Sequence, residues 1–244
     1  MIKRNYYKIV RIFPDPSSYF YIKNETMSDS QIMFRSDWLP TVNLEYSFDK
    51  VNWKSYNGNL YIPADGYIYL RNTSGTFGTS EYDSIFLLYD NFSIGGDIRT
   101  LFNYTDVESV TKIPDYGLNF PFVCFNDCKC IDISNLSFRG ITEISNYGLQ
   151  NTFGANSTFT KGVDLRDVTT LGEGALNNLY SSNSNLKEAY APNVSTWDES
   201  KTSYWLNGVA STGVVYKPST LTIPTDYNGS GIPSGWTTQD YPVE

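Results

Sequence analysis

The residues that could do chemistry are unevenly represented. The chain has 26 aspartates and glutamates and no histidine. Two carboxylates at a suitable separation are enough for glycoside hydrolysis. The missing imidazole excludes the Ser-His-Asp and Cys-His nucleophilic constellations, His-ligated zinc, and the side chain that ordinarily titrates near neutral pH. Three cysteines, Cys124, Cys128 and Cys130, stand in a C-x3-C-x-C group that no imidazole can complete. One disulfide would leave an odd thiol, so small buried core residues are the expected role rather than a metal or redox centre. Gly95-Gly96 follows an apolar run but lacks phosphate-loop spacing and its lysine, and reads as a turn. No catalytic residue, metal or cofactor is expected.

Binding is the better use of the polar side chains. Three-residue strands centred on Asp132, Asp164, Tyr190 and Val215 place those residues on an outer face, followed two positions later by Ser134, Arg166 and Lys217. A mixture of tyrosine, acid and base suits a glycan or a protein partner, although any solvated face has a similar composition. Asp132 and Asp164 would stack one repeat apart, as a carboxylate pair or as a solubilising ladder. Lys3, Arg4, Lys8 and Arg11 make the first eleven residues basic with no acid, which suits an arm docking on an acidic assembly or the solvent face of a first strand. The net charge of -8 opposes nucleic-acid binding, which needs a basic face. Neither a secretory h-region nor a run of 18 apolar residues is present, so no export leader or membrane insertion is expected.

The elements that must position these residues fall into two textures. Up to about Leu101 the chain favours strands. Tyr6 to Phe13, Tyr19 to Lys23 and Ile32 to Arg35 are aromatic and β-branched, and Val42, Leu44, Tyr46 and Phe48 alternate. Asn57-Gly58 and Asp65-Gly66 are turn signals around Leu60 to Ile62 and Tyr67 to Leu70. Phe92 to Phe102 reads as a strand entering a helical turn capped by Asp97.

Beyond residue 103 the sequence repeats. Val110 to Leu118, Ile141 to Leu149 and Val168 to Leu176 match class by class, and Val194 to Trp197 begins a fourth copy, at steps of 31, 27 and 26 residues. A second register runs through Ile131-Asp132-Ile133, Val163-Asp164-Leu165, Ala189-Tyr190-Ala191 and Val214-Val215-Tyr216. Between the registers, Gly148 to Phe153 and Gly174 to Tyr180 have the apolar spacing of a short helix. Such a period means a solenoid. The expected fold is mainly β: an antiparallel β-sandwich over 1–103, then over 104–244 a short solenoid of strands and short helices. Trp197, Tyr204, Trp205 and Trp236 supply its C-terminal cap.

The nine-residue motif, the strand triplets and the ending Trp205 to Gly213 followed by Gly231 to Thr237 resemble the surface leucine-rich-repeat family of gut anaerobes and related chains in the tail and fibre proteins of their bacteriophages. Leu44 to Asp49 with Trp53, Tyr67 to Arg71, Gly95 to Ile98 and Leu101 are similar to the β-domain preceding the repeats in those phage proteins. Only Phe125-Asn126-Asp127-Cys128 approximates the phenylalanine and Gly-Cys pair of the family's repeats, and the array is short. The resemblance implies a non-enzymatic virion protein, a head or tail fibre or decoration subunit. It would contact other virion proteins and a host-surface glycan or protein, and homotrimers are common among such fibres. A bacterial cell-surface adhesin and a carbohydrate-active enzyme using paired carboxylates are the alternative expectations.

Overall fold

Aromatic and β-branched runs prefer a pleated, half-buried backbone, and in this computed structural model strand outweighs helix, 32% against 6%. The chain is mainly β. The structure describes residues 19–34, 43–56, 59–75, 86–119, 122–124, 129–154, 157–225 and 229–242. The expected strand Tyr6 to Phe13 and the basic residues Lys3, Arg4, Lys8 and Arg11 lie outside them.

The first half contributes β1 (Phe20–Asn24), β2 (Ser30–Phe34), β3 (Leu44–Ser47), β4 (Lys54–Ser55), β5 (Leu60–Ile62), β6 (Tyr67–Asn72), β7 (Phe86–Leu88), β8 (Phe92–Asp97) and the single-turn α1 (Thr100–Asn103). The second contributes β9 (Lys112–Ile113), β10 (Phe122–Cys124), β11 (Cys130–Asp132), β12 (Leu136–Ser137), β13 (Glu143–Ile144), β14 (Thr170–Leu171), β15 (Glu188–Tyr190), α2 (Glu199–Thr202), β16 (Gly213–Lys217) and β17 (Trp236–Asp240).

One sheet runs β11-β8-β1-β6-β3-β4 with β12 also on β8, and a second runs β10-β7-β2-β5. Strands β1 to β8 pair antiparallel, whereas β10, β11 and β12 join β7 and β8 in parallel. Both sheets are therefore mixed and include strands from beyond residue 103. Phe20 of the first sheet and Phe86 of the second stack at 6.2 Å, within one buried cluster that also takes in Ile22, Ile32, Ile68 and Leu70. The alternation of β3 ends early. Ser47 is buried and its hydroxyl donates to Asp49, whose carboxylate also accepts the Val51 and Asn52 N–H groups, so Phe48 turns outward.

Glycine is required where β8 ends. Gly96 has a φ of +82°, and a Cβ there would collide with the Tyr19 carbonyl. Gly95 makes room for the Tyr21 ring. The Gly96 N–H instead donates to Asn135, tying the first sheet to the next pass of chain. Asp97 does not cap α1. Its carboxylate accepts the Arg99 N–H and grips the Arg99 guanidinium at 2.8 Å.

From Val110 onward the backbone makes successive passes in parallel. β9, β13 and β14 pair in register, Lys112 with Glu143 and Thr170, and Ile113 with Ile144 and Leu171. β15, β16 and β17 form a second such ladder. The motif's apolar positions Ile113, Leu118, Ile141, Ile144, Leu149, Val168 and Leu176 are all buried.

The short helices expected at Gly148 to Phe153 and Gly174 to Tyr180 do not form. Every second N–H, at Tyr147, Leu149, Asn151 and Phe153, donates to a carbonyl of the next pass, and those between donate three residues back. Gly174 to Asn183 repeats the arrangement. A helix would need each N–H for its own i-4 carbonyl. Residues four apart adopt left-handed backbone, with φ of 56° at Tyr147 and 54° at Asn151, then 59° at Gly174 and 54° at Asn178. A four-residue turn repeat imitates helical apolar spacing, which is why the sequence reads as helix.

Candidate functional site

Three successive edges of the passes carry one local pattern: Asp97-Ile98-Arg99, Ser137-Phe138-Arg139 and Asp164-Leu165-Arg166. The centres Ile98, Phe138 and Leu165 are buried. Backbone pairing places Ser137 beside Asp97, and Asp164 follows 27 residues later, the step of the neighbouring bond from the Thr169 N–H to the Thr142 carbonyl. In each triplet the first side chain accepts the N–H of the arginine two residues on, at 3.0 Å for Asp97, 3.2 Å for Ser137 and 3.0 Å for Asp164. This short turn fixes where each arginine leaves the backbone.

The outer two arginines are neutralised by their own aspartates. Arg99 sits on Asp97 at 2.8 Å with Glu108 at 3.4 Å, and Arg166 sits on Asp164 at 2.7 Å. The hydrogen bonds that the Arg99 guanidinium donates to Asp97 raise its basicity. Ser137 has no charge to offer, so Arg139 is exposed and makes no ion pair among the described residues. It borders an open groove of about 390 Å³ lined by Ser134, Asn135, Ser137, Arg139, Asp164, Arg166 and Asp167, with Leu136 and Phe138 at the base. Asp167 accepts the Gly140 N–H at 2.8 Å.

Three of the sequence-predicted residues, Ser134, Asp164 and Arg166, thus meet in one groove. Asp132 lies just outside it, both of its oxygens taken by Ser134, through the backbone N–H at 2.8 Å and the hydroxyl at 3.0 Å. Asp132 is not the counterpart of Asp164, because β11 pairs with β8 and Ser137 occupies the equivalent place. The expected carboxylate pair does not stack.

Tyr190, expected on the outer face, is buried. It is 5% exposed, stacked on Tyr216 at 4.9 Å and covered by the Lys161 ammonium at 5.2 Å. The last triplet was read one residue out of step: Val215 pairs with Ala189 and is fully buried, which leaves Tyr216 opposite Tyr190. Lys217 consequently sits beside Asp240 in the register of β17, and its ammonium donates to the Pro218 carbonyl. Residues 241 and 242 fold back over this part of the face, the Tyr241 hydroxyl donating to the Ala191 carbonyl and Arg166 reaching the Pro242 carbonyl at 3.3 Å. The tail thus covers the Tyr190 part of the outer face and reaches the Arg166 side of the groove.

Three of the four aromatics expected in the cap bond or pack across the C-terminal passes. Trp205 is fully buried and its indole N–H donates to Gly231 at 3.1 Å, and Trp236 donates to Ala210 at 2.6 Å. Both bonds span 26 residues, one repeat step. Trp197 packs on Trp205 at 4.9 Å and donates to Ser230, while Tyr204 remains half exposed.

Sequence reading missed Ser137, Arg139 and Asp167. The signal was available in the acid-apolar-arginine triplet, whose interruption by serine is legible once the copies are aligned. Cys130 is buried and its thiol is pushed up by desolvation, as suits a core residue. Among the described residues no group of acids and cysteines is placed to hold a metal ion, and no described helix is long and apolar enough to cross a membrane. Comparison of the chain with protein-family models, with curated proteins and with solved structures returns no match.

Proposed function

We propose that the chain is a non-enzymatic structural protein of a bacteriophage virion, a head or tail fibre or decoration subunit. In this reading residues 1–103 are a β-sandwich, its two sheets extended at their edges by β10, β11 and β12, used for anchoring and assembly with other virion proteins. Residues 104–244 are a leucine-rich-repeat-type solenoid turned outward toward a host-surface glycan or protein. The subunit would assemble as a homo-oligomer, the trimer being the form taken by the resembling fibres.

The observation that supports this is the way the repeat motif is used. The same residues that carry the family resemblance hydrogen-bond pass to pass and bury their apolar positions between neighbours, which is how repeat scaffolds are held together. The carboxylates of the open face support the non-enzymatic half. Asp132 is held by Ser134, Asp164 by Arg166 and Asp167 by the Gly140 N–H. An acid-base pair needs one carboxyl poised to give or take a proton.

Mass spectrometry of purified phage particles tests the reading. Peptides of this chain at a stoichiometry comparable with the tail or capsid proteins are expected, and their absence overturns it. Peptides confined to the cell envelope of uninfected bacteria would establish the adhesin instead. Turnover of a host polysaccharide that disappears in Asp164→Asn would establish the enzyme.

A further inference from the structure

We infer that the groove between residues 134 and 167 is a binding site for the carboxylate of an acidic sugar, with Arg139 as its anchor. The inference deepens the proposed function at the same face and rests on the reading of that face as a recognition surface.

The arginine pattern is broken at its middle copy. Three arginines leave the backbone by the same short turn on successive passes, and two are matched by an aspartate two residues earlier. The middle copy keeps the turn, because the Ser137 hydroxyl accepts the Arg139 N–H as the aspartates do, but omits the charge. Geometry is retained and neutralisation is not. The result is an arginine with its backbone fixed by Ser137 and its guanidinium without an ion-pair partner among the described residues, bordering a polar groove.

The chemistry of the lining selects the ligand. A guanidinium presents a planar fork of donors that matches a carboxylate in two parallel hydrogen bonds. Asp164 and Asp167 border the same groove, so a dianion such as a phosphate monoester is repelled more strongly than a single carboxylate. The Ser134 and Ser137 hydroxyl oxygens, engaged with Asp132 and the Arg139 N–H, keep acceptor capacity for the hydroxyls of the sugar ring. A uronic-acid residue within a glycan meets all three conditions. Arg166 is already held by Asp164 and by the Pro242 carbonyl, so it borders the ligand without being its counter-ion.

Calorimetric titration of the full chain with trigalacturonate, neutral galactotriose and inorganic phosphate tests this. Saturable binding of trigalacturonate alone is expected. Arg139→Ala should weaken it roughly 10- to 100-fold, the range for losing a hydrogen-bonded charge. Ser137→Asp is the sharper variant, since it completes the pattern of the other two triplets and leaves Arg139 in place. It should abolish binding with no fall in melting temperature. Failure of the wild-type chain to bind trigalacturonate, equal binding of galactotriose or phosphate, or full affinity in Ser137→Asp each overturn the inference. A chain found on phage particles but indifferent to trigalacturonate leaves the virion reading standing and removes only this one.

Discussion

The two halves of the molecule solve the same problem, how to bond every buried backbone group, in opposite ways. In the first half, antiparallel strands far apart in sequence are matched, such as β1 lying between β6 and β8. The pairing is sealed by individual side-chain constellations. The Arg71 guanidinium lies 4.0 Å from the rings of both Trp53 and Tyr104 and 2.6 Å from the Glu45 carboxylate. In the second half each pass is bonded to the next at a near-constant sequence step, and side chains repeat the bonding, as when the Asn146 side-chain oxygen accepts the Glu173 N–H and the Asn177 oxygen accepts the Ser203 N–H. Stability in the first half is concentrated in unique contacts. In the second it is spread over many equivalent ones, which frees single side chains on the outer face to vary.

The largest expected effect comes at high pH and is shared by the two halves. Burial pushes the Tyr21 phenol up to about 12, and raises those of Tyr56, Tyr180 and Tyr241 further. An unfolded tyrosine titrates near 10. These groups therefore contribute stability that is fully present below pH of about 10 and lost above it, as the unfolded chain ionises first. Absorbance at 295 nm should rise together with loss of circular dichroism above that pH. A smooth phenolate titration in a chain that stays folded would contradict the burial. With no histidine, stability should change little between pH of about 5 and 9. On the acid side, the hydrogen bonds that hold Asp49, Glu143 and Asp198 below the usual carboxylate range give a stabilisation present above pH of about 4 and lost as pH falls below it.

Next in size is Trp205→Ala. The indole is fully buried and bonded across one repeat step to Gly231, and its loss should cost about 3–5 kcal/mol. The midpoint of urea unfolding measures it. Because β11 and β12 of the second half pair with β8 of the first, far-ultraviolet dichroism and fluorescence should shift together in one transition. Two separated transitions would mean that the halves unfold independently.

Arg71→Ala and Tyr180→Phe probe the two styles of bonding at intermediate size. The first removes two cation-π contacts and an ion pair from partly buried positions and should cost about 2 kcal/mol. The second removes the hydroxyl that accepts the Val163 N–H at 2.9 Å and leaves that buried donor unpaired, a cost of about 1–3 kcal/mol. The smallest effect is Asp164→Asn. Its pair with Arg166 is 41% and 25% exposed, so after solvent screening the loss should stay below about 1 kcal/mol and shrink further in high salt.

The two halves also differed in how far they could be read from sequence. Motif periodicity located the buried positions Ile113, Ile144 and Leu171 because each pass repeats the same local environment. It could not distinguish helix from stacked turns at Gly148 to Phe153, since both place apolar residues three and four apart. The triplet register failed at Val215 because a three-residue strand is too short to fix its own phase, and a shift of one residue exchanges the inner and outer faces; it failed at Asp132 because the matching position, Ser137, lies five residues further along the pass. In the first half the strands Tyr19 to Lys23 and Tyr67 to Leu70 were legible from composition. Their partners were not, because antiparallel order depends on contacts between distant segments that no local pattern encodes. At the site, Ser134, Asp164 and Arg166 were found as outward residues. Arg139 was missed because what marks it is a neighbour's lack of charge.

Electron microscopy of intact phage particles, labelled with gold-conjugated antibody raised against the full chain, decides whether it is a virion subunit whose stacked passes face outward. Gold on the surface of intact particles is expected, with labelling blocked by prior incubation with a fragment antibody directed at residues 157–225. Intact particles without gold, or gold that no such fragment displaces, would contradict it.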